Sequence, residues 1–174
     1  MTECTLDSGD NYPYTQETFT LIARLARLIK KYSREFGVPP LAVAGSIADE
    51  YNTRRGGRIV LDWIQDYVVL NRMPNRLIQI DYNHGARSRW LNATRHDLGP
   101  GNINLKTARD IYKQFSASFP KRLSDWADMV DYLLTDEGSV VVTALVIKKG
   151  MNDMAASLVG RSPGGLPRSR KPFW

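Results

Sequence analysis

The stretch Pro40-Leu41-Ala42-Val43-Ala44-Gly45-Ser46-Ile47-Ala48-Asp49-Glu50-Tyr51 decides how the rest of the chain is read. Pro40 suits the first position of a helix, because the N–H that proline lacks has no partner there anyway. The residues after it predict a helix over 41–51. Ala44, Gly45, Ser46 and Ala48 are small. Small side chains let neighbouring backbones come close, so this helix is expected to run through the middle of the molecule. At its C-terminal end it delivers a carboxyl, Glu50. A carboxyl that is desolvated and placed at the negative end of a helix dipole favours its protonated form. Glycoside hydrolysis needs such a general acid to protonate the leaving oxygen. An ordinary glutamate at a helix end is simply solvated. The apolar, small-residue approach to Glu50 is what sets it apart.

Upstream, Leu21, Leu25, Leu28, Tyr32 and Phe36 recur at three- and four-residue steps and predict one apolar helix face. Gly37 is the expected stop, with Pro39 and Pro40 just beyond. Residues 1–14 read as a polar lead-in. Downstream, 52–57 is a polar, turn-forming stretch, and 59–70 is a further amphipathic segment. Ile78, Ile80 and Tyr82 alternate with polar residues, which predicts a short strand. The rest of 74–104 is a long polar connection rich in Asn and Gly. Connections this long inside a domain are often functional when ordered.

Helical patterns then resume. Asn104 can cap a helix reaching Tyr112 and Phe115. Another is expected over 122–134, with Leu123, Trp126, Met129, Val130 and Leu133 on one side. A third is expected over 139–158. Its first half, 140–147, is apolar all round except for Thr143, which suits a buried helix or a buried strand. The unbroken pattern through Met151, Met154 and Ala155 favours the helix. Residues 159–174 are rich in Gly, Pro and basic side chains and read as an extended basic tail.

With 174 residues the chain has the length of one ordinary domain. The expected fold is mainly α, with one helical domain over 15–158 and a small irregular or β region beside a cleft. A single cysteine, Cys4, excludes an internal disulfide or a cysteine-rich zinc site. Two histidines, His84 and His96, exclude a three-histidine metal site. No metal and no cofactor are expected. The net charge of +6 suits an anionic partner such as nucleic acid, an acidic lipid surface or bacterial cell wall. The polar, acidic N-terminus lacks a basic and apolar leader, and no apolar run approaches the ~20 residues of a membrane span. The expectation is synthesis in the cytoplasm without a signal peptide, and no membrane span.

The segment Ala44-Gly45-Ser46-Ile47-Ala48-Asp49-Glu50 resembles the catalytic helix of the lysozyme-like superfamily, which includes goose-type lysozymes and lytic transglycosylases. There an Ile-Ala-x-Glu ending delivers the general acid. Gly99-Pro100-Gly101-Asn102-Ile103-Asn104 lies where those enzymes carry a Gly-Leu-Met-Gln motif lining the cleft. Leu133-Leu134-Thr135-Asp136 before an apolar helix is similar to their late pattern. The resemblance spans about residues 38–155. It extends to the cell-wall-degrading domains of type VI secretion effectors, which carry a Gly-Pro-Gly-Asn-Ile-type loop. Three departures stand out. Tyr51 replaces the serine common after the glutamate, Asn102 replaces Gln, and no Met lies before it.

The resemblance implies a peptidoglycan glycan-strand hydrolase with Glu50 as general acid. Asp97, near the Gly loop, is the candidate second carboxylate, because Asp49 points about 100° away from Glu50 on the same helix. Tyr51, Tyr82, Asn102 and Asn104 are candidates for sugar binding. Implied partners are peptidoglycan and a periplasmic immunity protein, with the protein exported to act in the periplasm of a target bacterium and no nucleic acid bound. The alternative is a non-catalytic basic helical module that binds nucleic acid or a partner protein. The two differ in geometry. The enzyme needs Glu50 in a cleft with the Gly99-to-Asn104 loop opposite, whereas the module would gather its basic residues into one patch.

Overall fold

The computed structural model of the chain describes residues 14–53, 75–84 and 97–159. The lead-in up to residue 13, the amphipathic segment 59–70, His96 and the tail from residue 160 lie outside the described residues. Those described are mainly helical with one small antiparallel sheet.

Helix α1, Gln16–Phe36, opens on Thr15, whose side chain accepts from the Thr18 N–H. Leu21, Leu25, Ile29, Tyr32 and Phe36 form its buried face. Gly37 ends it in the left-handed conformation, φ 66°. There the Gly37 N–H reaches Arg34 O and the Val38 N–H reaches Ser33 O, which closes the helix with a Schellman motif. Helix α2, Pro40–Thr53, follows at once. It packs on α1 and buries Val43, Ile47 and Ala48, but Leu41 is 83% exposed and Ser46 is exposed. A Cβ added to Gly45 would meet nothing within 4 Å. So α2 is a flanking helix with one buried face, and its small residues do not serve a close backbone approach as expected.

Helix α3, Asn75–His84, replaces the short strand expected around Ile78, Ile80 and Tyr82. Ile78 and Asp81 are buried, Tyr82 is half-buried, and Ile80 is 43% exposed. The burial therefore follows a three-to-four-residue period rather than alternation. Strands β1, Asp97–Leu98, and β2, Ile103–Asn104, form the sheet, with Asp97 opposite Asn104 and Leu98 opposite Ile103. Leu98 and Ile103 are buried and anchor the hairpin to the core.

Helix α4, Leu105–Phe115, starts on the expected Asn104 cap, whose oxygen accepts from Lys106 N and Thr107 N. A short 3-10 turn, Ser116–Ser118, follows it. Helix α5 spans Trp126–Leu133 and begins later than expected, because the Asp125 side chain accepts from Asp128 N and caps it there. Helix α6, Asp136–Val159, is the central element. It contacts α1, α2, α4, α5 and β2, and residues 140–145 are all buried. Arg24 of α1 pairs with Asp136 at its start, 2.9 Å apart. Its far half is different in kind: residues 150–158 are exposed, with Met151, Met154 and Leu158 among them. No described helix is long and apolar enough to cross a membrane.

Candidate active site

Glu50 stands on the last turn of α2, and the β1–β2 hairpin stands against it. The Asn102 side-chain amide donates from Nδ2 to Glu50 Oε2 at 2.9 Å. The two residues are 52 positions apart in the chain.

The hairpin is built to hold Asn102 there. Gly99 through Asn102 form the turn, closed by the Asn102 N–H to Gly99 O at 3.0 Å. Pro100 takes its second position, which its fixed φ favours. Gly99 has φ 68°, and its missing side chain lets the turn sit on the junction of α5 and α6. A Cβ there would lie 2.0 Å from Leu133 O and 2.6 Å from Ser139 Oγ. Ser139 is itself fixed, since its hydroxyl donates to Leu133 O at 3.0 Å. Gly101 lies against Thr143, whose Oγ1 would be 3.0 Å from an added Cβ. Asn102 itself has φ 49°, a left-handed backbone that asparagine tolerates better than most residues.

The last turn of α2 is tied down from the other side by the start of α1. Tyr14 donates its hydroxyl to Asp49 Oδ1 at 2.5 Å, and this hydrogen bond raises the Tyr14 hydroxyl above its ordinary value. Asn52 Oδ1 accepts from the Thr15 N–H at 3.4 Å and from the Thr18 hydroxyl at 3.5 Å. Sequence reasoning did not find this clasp, because isolated polar residues 34 to 37 positions apart leave no periodic signal. Asp49 thus faces α1, consistent with its turning away from Glu50.

Glu50 is exposed. The desolvated setting expected for it is therefore not what positions it; the hairpin does that. Asp97 is half-buried at the foot of the hairpin, opposite Asn104 in the ladder. Asn104 spends its oxygen on the α4 N-terminus, so capping is the role its geometry displays. Tyr51 is half-buried and packed against the core. Tyr82 is engaged on another face. Its ring lies 5.2 Å from that of Trp126, with Lys113 Nζ 4.3 Å from its centroid. Its hydroxyl donates to Asp110 and accepts from Lys113 at 2.7 Å. Of the six candidates, the structure joins Glu50 directly to Asn102, sets Asp97 and Asn104 at the base of the same hairpin, and gives Tyr51 and Tyr82 packing partners of their own.

The Asp110 carboxyl has a shifted proton affinity. Burial pushes it up, but hydrogen bonds from Lys106 and Tyr82 and the charges of Lys106 and Lys113 outweigh burial and hold it below its ordinary value. Among the described residues no group of three or more His, Cys, Asp or Glu side chains could hold a metal ion.

No family model, no curated protein and no solved structure matches the chain.

Proposed function

We propose that the protein cleaves the glycan strand of peptidoglycan, with Glu50 as general acid. The observation that carries this reading is the 2.9 Å contact of Asn102 with Glu50, which sets the Gly-Pro-Gly-Asn hairpin against the carboxyl. An acid that acts on a bulky polymer must be reachable, and the exposure of Glu50 is compatible with that. In the proposed step the Glu50 proton moves to the glycosidic oxygen and the C1–O bond breaks. Water then bonds to C1 and returns a proton to the Glu50 carboxylate, or, in a lytic cleavage, the sugar's own hydroxyl closes on C1 and gives its proton to that carboxylate. Asp97 stabilises positive charge at the sugar or orients the water. The +6 charge holds the anionic wall.

The substrate class implies action outside the cytoplasmic membrane. We place the protein as an antibacterial effector that is exported into the periplasm of a target cell, with a small immunity protein guarding the producer. Digestion of purified peptidoglycan with mass analysis of the fragments tests the activity and separates hydrolysis from lytic cleavage. Expression with and without a fused export signal tests the location. Lysis only on export, abolished by Glu50→Gln, supports the proposal.

A second reading has an observation of its own. Lys106, Arg109 and Lys113 follow one another along α4 at three- and four-residue steps, and each lies over an aromatic ring of Tyr82, Tyr112 or Trp126. A basic, aromatic-flanked helix of this kind suits a non-catalytic module that binds nucleic acid or an acidic protein. Equal toxicity in the cytoplasm, where no glycan strand is available, would favour it.

A further inference from the structure

The Asn102 amide has two ends in contrasting settings. Nδ2 donates to Glu50 Oε2 at 2.9 Å. Oδ1 is shut away from solvent and receives no hydrogen bond from the described residues. A buried amide is usually pinned at both ends, because an unpartnered buried polar atom costs free energy. Among the described residues nothing pins the far end. Turning the amide by half a rotation about its last side-chain bond would exchange a donor for an acceptor at Glu50, with no second hydrogen bond to break.

That freedom matches the needs of a general acid. An ionised carboxylate only accepts hydrogen bonds, whereas a protonated carboxyl also donates one. We propose that Asn102 is a positioning residue that holds Glu50 in both protonation states. It donates from Nδ2 to the carboxylate and, with the amide turned, accepts at Oδ1 a hydrogen bond from the carboxyl O–H, which is given up as that proton moves to the glycosidic oxygen. This replaces the sugar-binding role expected for Asn102, and it rests on Glu50 being the acid. The rest of the hairpin serves the same end. Gly99 seated on Leu133 and Ser139, and the left-handed backbone of Asn102, fix the point from which the amide swings.

The test uses three variants of the whole chain. Asn102→Gly keeps the left-handed backbone and removes the amide. Asn102→Asp keeps the shape but supplies only acceptors when ionised. Glu50→Gln removes the titrating partner. In the wild-type protein the side-chain NH2 resonances of Asn102, followed by NMR, should move with pH in one step. In Glu50→Gln that step should vanish. Asn102→Gly should lower kcat on peptidoglycan about tenfold or more, as loss of orientation does, with KM nearly unchanged. Asn102→Asp should displace the pH–rate profile upward, because two adjacent carboxyls resist losing both protons. Thermal melts of each variant separate these effects from misfolding. Asn102 resonances that ignore the Glu50 substitution would overturn the proposal, and so would an Asn102→Gly variant that raises KM and keeps kcat. Were wild-type protein inactive on peptidoglycan while the NMR step persisted, the function would fail and the pairing would stand.

Discussion

The side chain that Gly99 lacks would occupy space held by the carbonyl oxygen of Leu133, 2.0 Å from an added Cβ. The hairpin that carries Asn102 therefore fits its seat only with glycine at this position. Gly99→Ala adds two penalties, a left-handed alanine and a steric overlap with backbone. Together they should cost about 2–5 kcal/mol of stability. The drop in unfolding midpoint in denaturant measures it. Activity should fall as well, since the seat and the Asn102 amide shift together.

Glu50→Gln keeps the shape of the side chain and its contact with the hairpin, but it removes the transferable proton. Turnover on peptidoglycan should drop by at least ~10²-fold, while the melting temperature stays close to wild type. A variant with full turnover would remove Glu50 from the mechanism.

Asp110 links α4 to Tyr82 of α3 and is held below the ordinary carboxylate value. A depressed folded-state value means that stability is gained above the unfolded pKa and lost as pH falls through the folded one. Wild-type protein should thus lose part of this contribution on acidification below about pH 4. Asp110→Asn should flatten that part of the curve. Denaturant unfolding at neutral and acidic pH compares the two. An equally steep acid loss in the variant would show that other carboxylates govern it.

The charge of +6 predicts a salt-dependent hold on wall material. Sedimentation with insoluble peptidoglycan should retain less protein as ionic strength rises, because screening weakens attraction between exposed charges. Retention that is constant across salt would assign the charge to another purpose.

The fold was legible where the apolar period was long. Leu21 to Phe36 mark α1, whereas the run 140–145 suits helix and strand alike and is read as α6 only because the pattern continues beyond it. It was misread at α3, where Ile78, Ile80 and Tyr82 imitate alternation. A buried acid, Asp81, occupies a core-facing position there, and an apolar pattern does not register it. The start of α5 was missed because Asp125 looks like any loop aspartate until its oxygen is seen on Asp128 N. At the site, Glu50 and the Gly-Pro-Gly-Asn turn were readable as separate motifs. The enzyme reading required only that the loop stand opposite Glu50; the contact of Asn102 with Glu50 was not readable. The clasp of Tyr14 and Asn52 on the α2 terminus had no local signature at all.

Helix α6 bears on both halves of the site. It contacts α2, which carries Glu50, and β2, beside which the hairpin turn rests on Ser139 and Thr143. Glu50 and Asn102 thus share one mount. A tilt of α6 would carry both in the same direction and leave the gap between them nearly constant, as two instruments bolted to one beam keep their alignment when the beam sways. The separation of Glu50 and Asn102 should for this reason be among the best-conserved distances in the protein's thermal motion.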